Sequence, residues 1–299
     1  MNLRFAGAIE RLERAIEIFR ERCPGTAWEV TTSQFFLFVA LYYSCRYREL
    51  RERHEIALKD AVERGDHYGA VTLRIGVLNR IWWLGGDPAR ARRELDAARQ
   101  VWPSSQSSEQ GYHVIHFHLA VAECYVDLFE GEWERAHRHA VSQGPALRRS
   151  FLLHAAALRL EWLGLTLRTS IAAAAAVGDA RPAERDALLR EAEGYIGRYG
   201  ASIDHPLNRP MILSARASIA ATRGDLGKAR ALIERMAAAP DSEEGWVSRE
   251  CARWILGRLR GEVEGGAQVR AAEEQLASRG VAPDRRAPLV LFPGLGRYV

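Results

Sequence analysis

The chain has 299 residues, of which 47% are hydrophobic and 27% are charged, a composition that supports a large buried core and excludes a disordered chain. The net charge is +4, and all 42 basic residues except Lys59 and Lys228 are arginine. Because these arginines are spread among 38 acidic residues without a dense basic block, we expect no nucleic-acid partner.

The N-terminal segment MNLRFAGAIERLERAIEIF places Glu10, Glu13 and Glu17 among apolar residues, which predicts an amphipathic helix and not a signal peptide. The longest apolar stretch, 171–177, is shorter than the roughly 20 residues that span a bilayer. We therefore expect a cytoplasmic protein without a membrane partner. Its isolated cysteines are expected to be reduced and mostly buried: they are Cys23, Cys45, Cys124 and Cys251.

Apolar periodicity, interrupted by glycine and proline, predicts helices along the whole chain. The only β-like signal is a short apolar run at 289–292. The predicted helices cover 3–22, 28–44, 48–64, 67–84, 88–102, 109–130, 132–143, 146–177, 182–199, 206–223, 226–238, 243–259 and 265–279.

A glycine followed by an acidic residue recurs along the chain at intervals of roughly 37 to 47 residues. Such a glycine accepts the left-handed conformation that ends a helix, and the acidic residue then caps the next helix. Each unit is therefore predicted to consist of a helix, a tight turn and a second helix. An earlier turn without glycine is expected at Arg46-Tyr47. The glycines are Gly86, Gly131, Gly178, Gly224 and Gly261.

Apolar residues at fixed offsets from these turns match the tetratricopeptide pattern. After Gly86 they are Ala91, Leu95, Ala98 and Pro103, and Trp82 precedes the turn by four residues. After Gly224 they are Ala229, Ile233 and Met236. The consensus glycine of the first helix is replaced by Asn79, Cys124 and Ala217, and the period exceeds the usual ~34 residues, which predicts longer helices or connections.

The sequence therefore predicts an all-α, right-handed superhelical solenoid of antiparallel helical hairpins over 1–285, of tetratricopeptide type. A C-terminal tail, 286–299, is expected to pack on the last hairpin. The first residues read as the second helix of a hairpin, as expected for a chain cut from a longer protein.

Several segments resemble the C-terminal helical region of large bacterial serine/threonine kinases that carry an ATPase module and tetratricopeptide repeats. They include ERCPGTAWEVTTSQFFLFVALYY, GYHVIHFHLAVAECYVDLFEGE and PDRRAPLVLFPGL. The resemblance implies a sensory or scaffolding module of a bacterial signalling system, with a kinase or ATPase signalling protein among its possible partners. The HRD, DFG and GxxxxGK[ST] motifs are missing from this sequence, so we expect no phosphoryl transfer, no cofactor and no other enzymatic activity.

A solenoid usually binds a protein or peptide on the concave face, which the first helix of each hairpin lines. Arginine and aromatic side chains on that face would suit an acidic or extended peptide. Ordinary contacts between helices explain these residues equally well, and the eight tryptophans are expected mainly to fill the core, with one of Trp82 and Trp83 facing a groove. The candidates for the binding surface are Arg80, Trp83, His118, Tyr125 and Arg168.

A histidine-rich segment supports an alternative function, a small-ligand or metal sensor with a pocket between hairpins. His113 and His116 share a helix face, whereas His118 points elsewhere and His137 and His139 follow the turn at Gly131. Because no carboxylate completes a recognised ligand set, a structural role is favoured and no metal site is assigned.

Overall fold

The computed structural model describes residues 5–102, 111–202, 208–240 and 245–299, and these ranges contain 15 α-helices and no β-strand. The prediction of an all-α chain is therefore confirmed for the described residues. Pro103 and the predicted starts of three helices, at 109, 206 and 243, lie outside them. The chain divides into an N-terminal unit, Met1–Ala122, and a C-terminal unit, Glu123–Val299.

Helices that follow one another in the chain pack against each other in the N-terminal unit. The first helix packs on the second, the second on the third, and the fifth on the sixth. The seventh helix contains the point at which the two units divide. These helices are α1 (Phe5–Arg22), α2 (Ala27–Tyr43), α3 (Tyr47–Glu63), α4 (His67–Thr72), α5 (Arg80–Leu84), α6 (Pro88–Val101) and α7 (Val114–Glu130).

The C-terminal unit repeats the pairing of neighbours. Successive helices pack from the eighth to the tenth and again from the eleventh to the fourteenth, while the ninth also contacts the eleventh. The helices are α8 (Trp133–Arg149), α9 (Ala156–Val177), α10 (Pro182–Ser202), α11 (Asn208–Thr222), α12 (Leu226–Ala237), α13 (Trp246–Leu259), α14 (Gly261–Ser278) and α15 (Arg286–Leu291).

Three of the predicted glycine-acid turns share one hydrogen-bonded geometry. Gly86, Gly131 and Gly224 have φ values of 89°, 84° and 86°. In each, the amide of the following acidic residue donates to a carbonyl five residues earlier, at 2.9 Å. This is the left-handed helix ending that glycine permits without a steric cost. The carboxylates of Asp87 and Asp225 then accept from the amides of Arg90 and Lys228, and so cap the next helix.

The expected turn at Arg46-Tyr47 is confirmed. Cys45 has a φ of 55°, and the amide of Arg46 donates to the carbonyl of Leu41 at 3.0 Å. Gly65 forms a further turn of this kind before Asp66, which the repeat pattern did not include. Gly178 differs, because its ψ of −141° leads into a short 3-10 helix instead.

Two predicted helices are interrupted. The segment 67–84 divides into α4, a 3-10 helix at Gly76–Asn79, and α5. Gly76 has a φ of 62°, and a Cβ there would lie 2.8 Å from Nδ1 of His118, so the break brings the backbone close to that ring. The predicted helix 146–177 begins only at Ala156, after α8 has continued to Arg149 and Phe151 has taken a φ of 60°.

Two of the three positions that replace the consensus glycine make the same type of contact across a hairpin. The side-chain amide of Asn79 donates to the carbonyl of Ala91 at 3.0 Å, and the Cys124 thiol donates to the carbonyl of Ala136 at 3.5 Å. Both contacts join residues that lie twelve apart. Ala217, the third such position, is fully buried, as are Asn79 and Cys124. The offset predicted from the turns therefore marks a close approach of two helices in these hairpins.

Each unit has its own apolar core. In the N-terminal unit, Leu41, Leu50, Leu78 and Ile81 are fully buried, and Phe38 is nearly so. The core of the C-terminal unit is built by α9, α10 and α11, whose apolar faces meet. Its members are Leu167, Ile171, Ala174, Leu189, Ala192, Ile196, Ala215 and Ile219.

The C-terminal tail forms a helix followed by turns. Helix α15 packs on α13, which belongs to the last hairpin, and also on α11. The Arg297 guanidinium and the Tyr298 hydroxyl donate to the carbonyl of Ala221 at 3.1 and 3.0 Å. The tail therefore reaches beyond the last hairpin to the carboxyl end of α11, where backbone carbonyls have no partner within the helix.

Candidate protein-interaction surface

The predicted surface residues differ in their exposure. Arg80, Trp83 and Tyr125 expose 8%, 4% and 4% of their surface and are therefore interior residues of the folded chain. His118 and Arg168 are partly exposed. Only these last two present surface that a partner can contact directly.

Arg80 and Trp83 lie on α5, immediately after the interrupted segment. The Arg80 guanidinium lies 5.9 Å from the centre of the Tyr42 ring on α2. Trp82 and Trp83 are both buried. Trp82 nevertheless borders a small cleft beside Arg90, whereas Trp83 does not, which agrees with the expectation that one of the two rings faces a groove.

Tyr125 and Arg168 lie together in the C-terminal unit. The Arg168 guanidinium on α9 donates to the Tyr125 hydroxyl on α7 at 2.7 Å. This hydrogen bond joins α7 to α9. Tyr125 itself is buried, so the pair contributes to helix packing and exposes only part of Arg168.

A group of exposed apolar residues, most of them aromatic, lies on one side of α2, which we call the aromatic face. Trp28 and Phe36 expose 64% and 53% of their surface, and Phe35 and Val39 are partly exposed. These four residues fall on one side of the helix, because their spacing follows its 3.6-residue period. Single exposed apolar residues are common in soluble proteins, whereas a contiguous patch with several large rings marks an interaction surface.

The opposite side of α2 holds this face in place. Val30, Leu37 and Leu41 on that side are buried. At the edge of the helix, the Thr31 hydroxyl donates to Asp66 at 2.8 Å, and Asp66 also accepts from the amide of Gly69 to cap α4. One carboxylate thus fixes the start of α4 beside α2.

Neighbouring rings extend the aromatic face. Phe35 and Phe36 meet edge to face with centroids 5.5 Å apart, a favourable aromatic geometry. The His118 ring lies 6.4 Å from Phe35. His118 is therefore the one predicted surface residue that adjoins the aromatic face.

The expectation that Trp28 packs inside the protein is wrong, because 64% of its surface is exposed. The segment FFLFVALYY is apolar around the whole helix, so its periodicity did not reveal which side is buried. A helix that is apolar on every side is usually buried, so this pattern carried no signal that Trp28, Phe35 and Phe36 are exposed.

The histidines of the predicted histidine-rich segment lie in three separate environments: at the start of α7, beside the aromatic face, and on α8. The Nδ1 atoms of His113 and His116 accept from the amides of Ile115 and His113 at 3.2 and 2.9 Å, and together they cap the start of α7. Burial lowers the pKa of His116, with a further contribution from His113, which fits its role as a neutral acceptor. Trp102 stacks on His113 with centroids 5.4 Å apart.

The histidines of α8 contact one carboxylate each. Nε2 of His139 lies 3.1 Å from Glu123, and Nε2 of His137 lies 3.9 Å from Glu191. Burial lowers the pKa of His137, which Glu191 partly opposes. Among the residues that the structure describes, no group of three or more histidine, cysteine, aspartate or glutamate side chains is placed to hold a metal ion.

Cys124 has the environment of a packing residue. Burial raises the pKa of its thiol, and the nearby Asp127 adds to this effect, so the nucleophilic thiolate is disfavoured. Across the described ranges, no helix is both long and apolar enough to cross a membrane.

No protein-family model matches this chain, and neither a curated protein nor a solved structure matches it.

Proposed function

We propose that this chain is a protein-interaction scaffold built from tetratricopeptide-like helical hairpins, with a protein or peptide as its partner. The equivalent turns at Gly86, Gly131 and Gly224 support the repeat. So do the matching contacts of Asn79 and Cys124 with residues twelve positions later. Repeats of this kind typically act by presenting side chains to a partner.

The aromatic face of α2 is the observation that carries the proposal. Trp28, Phe35, Phe36 and Val39 give the N-terminal unit an apolar surface that costs free energy while water covers it. Tryptophan and other aromatic residues are also over-represented among the side chains that dominate binding energy. The partner surface that suits these side chains is extended and largely apolar.

The resemblance to the helical region of bacterial kinases supports a role in signal transduction. We propose that the partner belongs to such a system, for example a kinase or ATPase signalling protein. The chain would then bring a client or regulator to that protein without taking part in phosphoryl transfer, and we propose that it works in the cytoplasm.

The test is affinity capture with the full chain from cells that produce it, followed by mass spectrometry. The variant Trp28→Ser/Phe36→Ser removes the two most exposed rings of the aromatic face. We expect it to reduce recovery of specific partners by at least about tenfold, because each lost hot-spot side chain typically costs about 1 kcal/mol or more. Circular dichroism establishes that the variant keeps its helical content.

Val263→Ser is the matched control, because Val263 on α14 is fully exposed and lies outside the aromatic face. It should leave recovery unchanged. Equal recovery with the unmodified chain and the double variant would refute the aromatic face as the binding surface.

A further inference from the structure

The N-terminal unit has a second candidate surface on the other side of α2. A cleft of about 850 Å³ lies over α2 between α1 and α3. Its apolar lining includes Ile16 from α1, Val30, Leu37 and Phe38 from α2, and Ala57 from α3. The volume falls within the range of about 300–1,000 Å³ that is typical of binding pockets.

One ion pair joins the two walls of the cleft. Arg53 on α3 lies 2.5 Å from Glu13 on α1 and 2.8 Å from Glu49 on its own helix. The walls are therefore tied together at one point while α2 supports the cleft from below. The cleft is therefore formed by three helices that are held in place relative to one another.

Gln34 supplies a polar group within the apolar lining. Its side chain faces the cleft although the residue is nine-tenths buried. A ligand that fills the cleft displaces water from this amide, so a hydrogen-bonding group in the middle of the ligand is favoured.

The charges on the two walls follow helical spacing. On α1, Glu13, Glu17 and Glu21 line the cleft at intervals of one turn. Glu13 is occupied by Arg53, and Glu17 pairs with Arg14 at the surface. Arg20 also lies on this wall. Because three glutamates outnumber this arginine, the wall is acidic overall.

The wall on α3 has a different character. It carries Arg53, and at its far end Asp60 pairs with Arg64 at 2.9 Å. Between them, Ile56 borders the cleft and exposes 71% of its surface. An isoleucine with so much exposure gives a partner apolar area to cover at the rim.

We propose that this cleft binds an amphipathic α-helix of a partner protein, with an apolar stripe against Leu37 and Ile56 and a basic flank against Glu17 and Glu21. From Glu13 to Glu21, the acidic wall extends about 12 Å along α1, which is about two turns of a helix. Charges one turn apart on the wall match side chains one turn apart on such a helix. A polar side chain within the stripe would pair with Gln34.

This binding mode is separate from the aromatic face, since the two lie on opposite sides of α2. In this mode the apolar face of a helix lies in a groove, and the walls contact its side chains at helical spacing. Failure at the cleft would consequently leave the scaffold function at Trp28 and Phe36 intact, and the reverse also holds.

The test measures fluorescence anisotropy of two labelled peptides of about 18 residues with the full chain at low salt. Both peptides carry the same leucine stripe with one glutamine, and their flanks are either lysine or glutamate. We expect the lysine peptide to bind about tenfold more tightly than the glutamate peptide. The variant Glu17→Lys/Glu21→Lys should reverse that order.

Ile56→Glu should weaken binding of both peptides about tenfold, because it places a charge against the leucine stripe. Val62→Glu is the matched control, since Val62 is also an exposed apolar residue of α3 and does not line the cleft. An unchanged peptide order in the charge-reversed variant, or equal effects of the Ile56 and Val62 variants, would overturn the proposal.

Two other occupants would also overturn it. Light scattering that showed a dimer of this chain, dissociated by Ile56→Glu, would assign the cleft to self-association. Binding of an uncharged dodecyl amphiphile that Gln34→Leu abolishes, with no binding of either peptide, would assign it to a small apolar ligand.

Discussion

His54 shows how burial of one side chain makes the stability of the N-terminal unit depend on pH. The residue is fully buried, and its Nε2 lies 2.5 Å from the carbonyl of Leu73. Its ring is enclosed by Phe38 and Trp82, with centroids 5.8 and 5.5 Å away. Burial lowers its pKa from 6.5 to about 4, because the surroundings disfavour the charged imidazolium.

The sign of the effect follows from this depressed pKa. The neutral ring favours the folded state, so its contribution is complete above pH 6.5 and is lost as the pH falls toward about 4. The loss amounts to about 3 kcal/mol at the lower pH. Urea unfolding of the full chain at neutral pH and near pH 4, followed in the N-terminal unit by hydrogen exchange, should show it.

Variants separate His54 from the other histidines. His54→Asn should lower stability at neutral pH and remove the largest part of the pH dependence. His67→Gln changes an exposed histidine of α4 and should retain the full slope. Equal slopes in the His54 variant and the unmodified chain would show that this ring does not control the acid response.

At the scale of elements, the crossing of α13 and α14 brings two helix backbones into direct contact. A Cβ on Gly265 would overlap the carbonyl oxygen of Gly257, and a Cβ on Gly257 would lie 2.7 Å from Val269. Gly265→Ala should therefore destabilise the C-terminal unit by more than about 2 kcal/mol, because backbone atoms have to move apart.

The neighbouring glycine provides the control. A Cβ on Gly266 would contact only the flexible end of Arg270, at 3.6 Å. Gly266→Ala should stabilise α14 by up to about 1 kcal/mol, since alanine favours helix. Thermal unfolding of both variants tests the pair, and an equal shift in the same direction would contradict this account of the crossing.

The elements that the sequence predicted well are those with a local physical cause. The turns at Gly86 and Gly224 were predictable because positive φ and a capping aspartate are properties of a few adjacent residues. The break at Gly76 was not, since Leu73, Ile75 and Leu78 continue an apolar pattern. It depends on packing against His118, and the sequence does not show that this ring lies beside the glycine.

The candidate sites were less predictable for the same reason. Trp28 and Trp82 have the same side chain, yet one is largely exposed and the other is buried beneath Arg90. Their difference arises from which helices cover α2 and α5. The cleft was unpredictable because it is formed by residues from three helices, and only their packing brings Glu17, Gln34 and Ile56 to one place.

At the scale of the molecule, the pairing of neighbouring helices leaves each unit with surfaces that these pairs alone do not cover. In the C-terminal unit the tail covers one of them. Phe292 and Leu295 are fully buried, and Arg297 and Tyr298 donate to the carboxyl end of α11. The tail therefore contributes to the core of this unit as well as to its surface.

Removal of 293–299 should accordingly loosen α11 by deleting the buried Leu295 and the partners of the Ala221 and Thr222 carbonyls. We expect amide exchange in 208–222 to become at least about tenfold faster, because loss of a buried leucine and of helix-end hydrogen bonds costs about 2 kcal/mol or more. Tyr298→Phe, which removes one hydrogen bond, should give a smaller increase. Exchange that accelerated only within the α13–α14 hairpin would instead show that the tail stabilises its nearest neighbours alone.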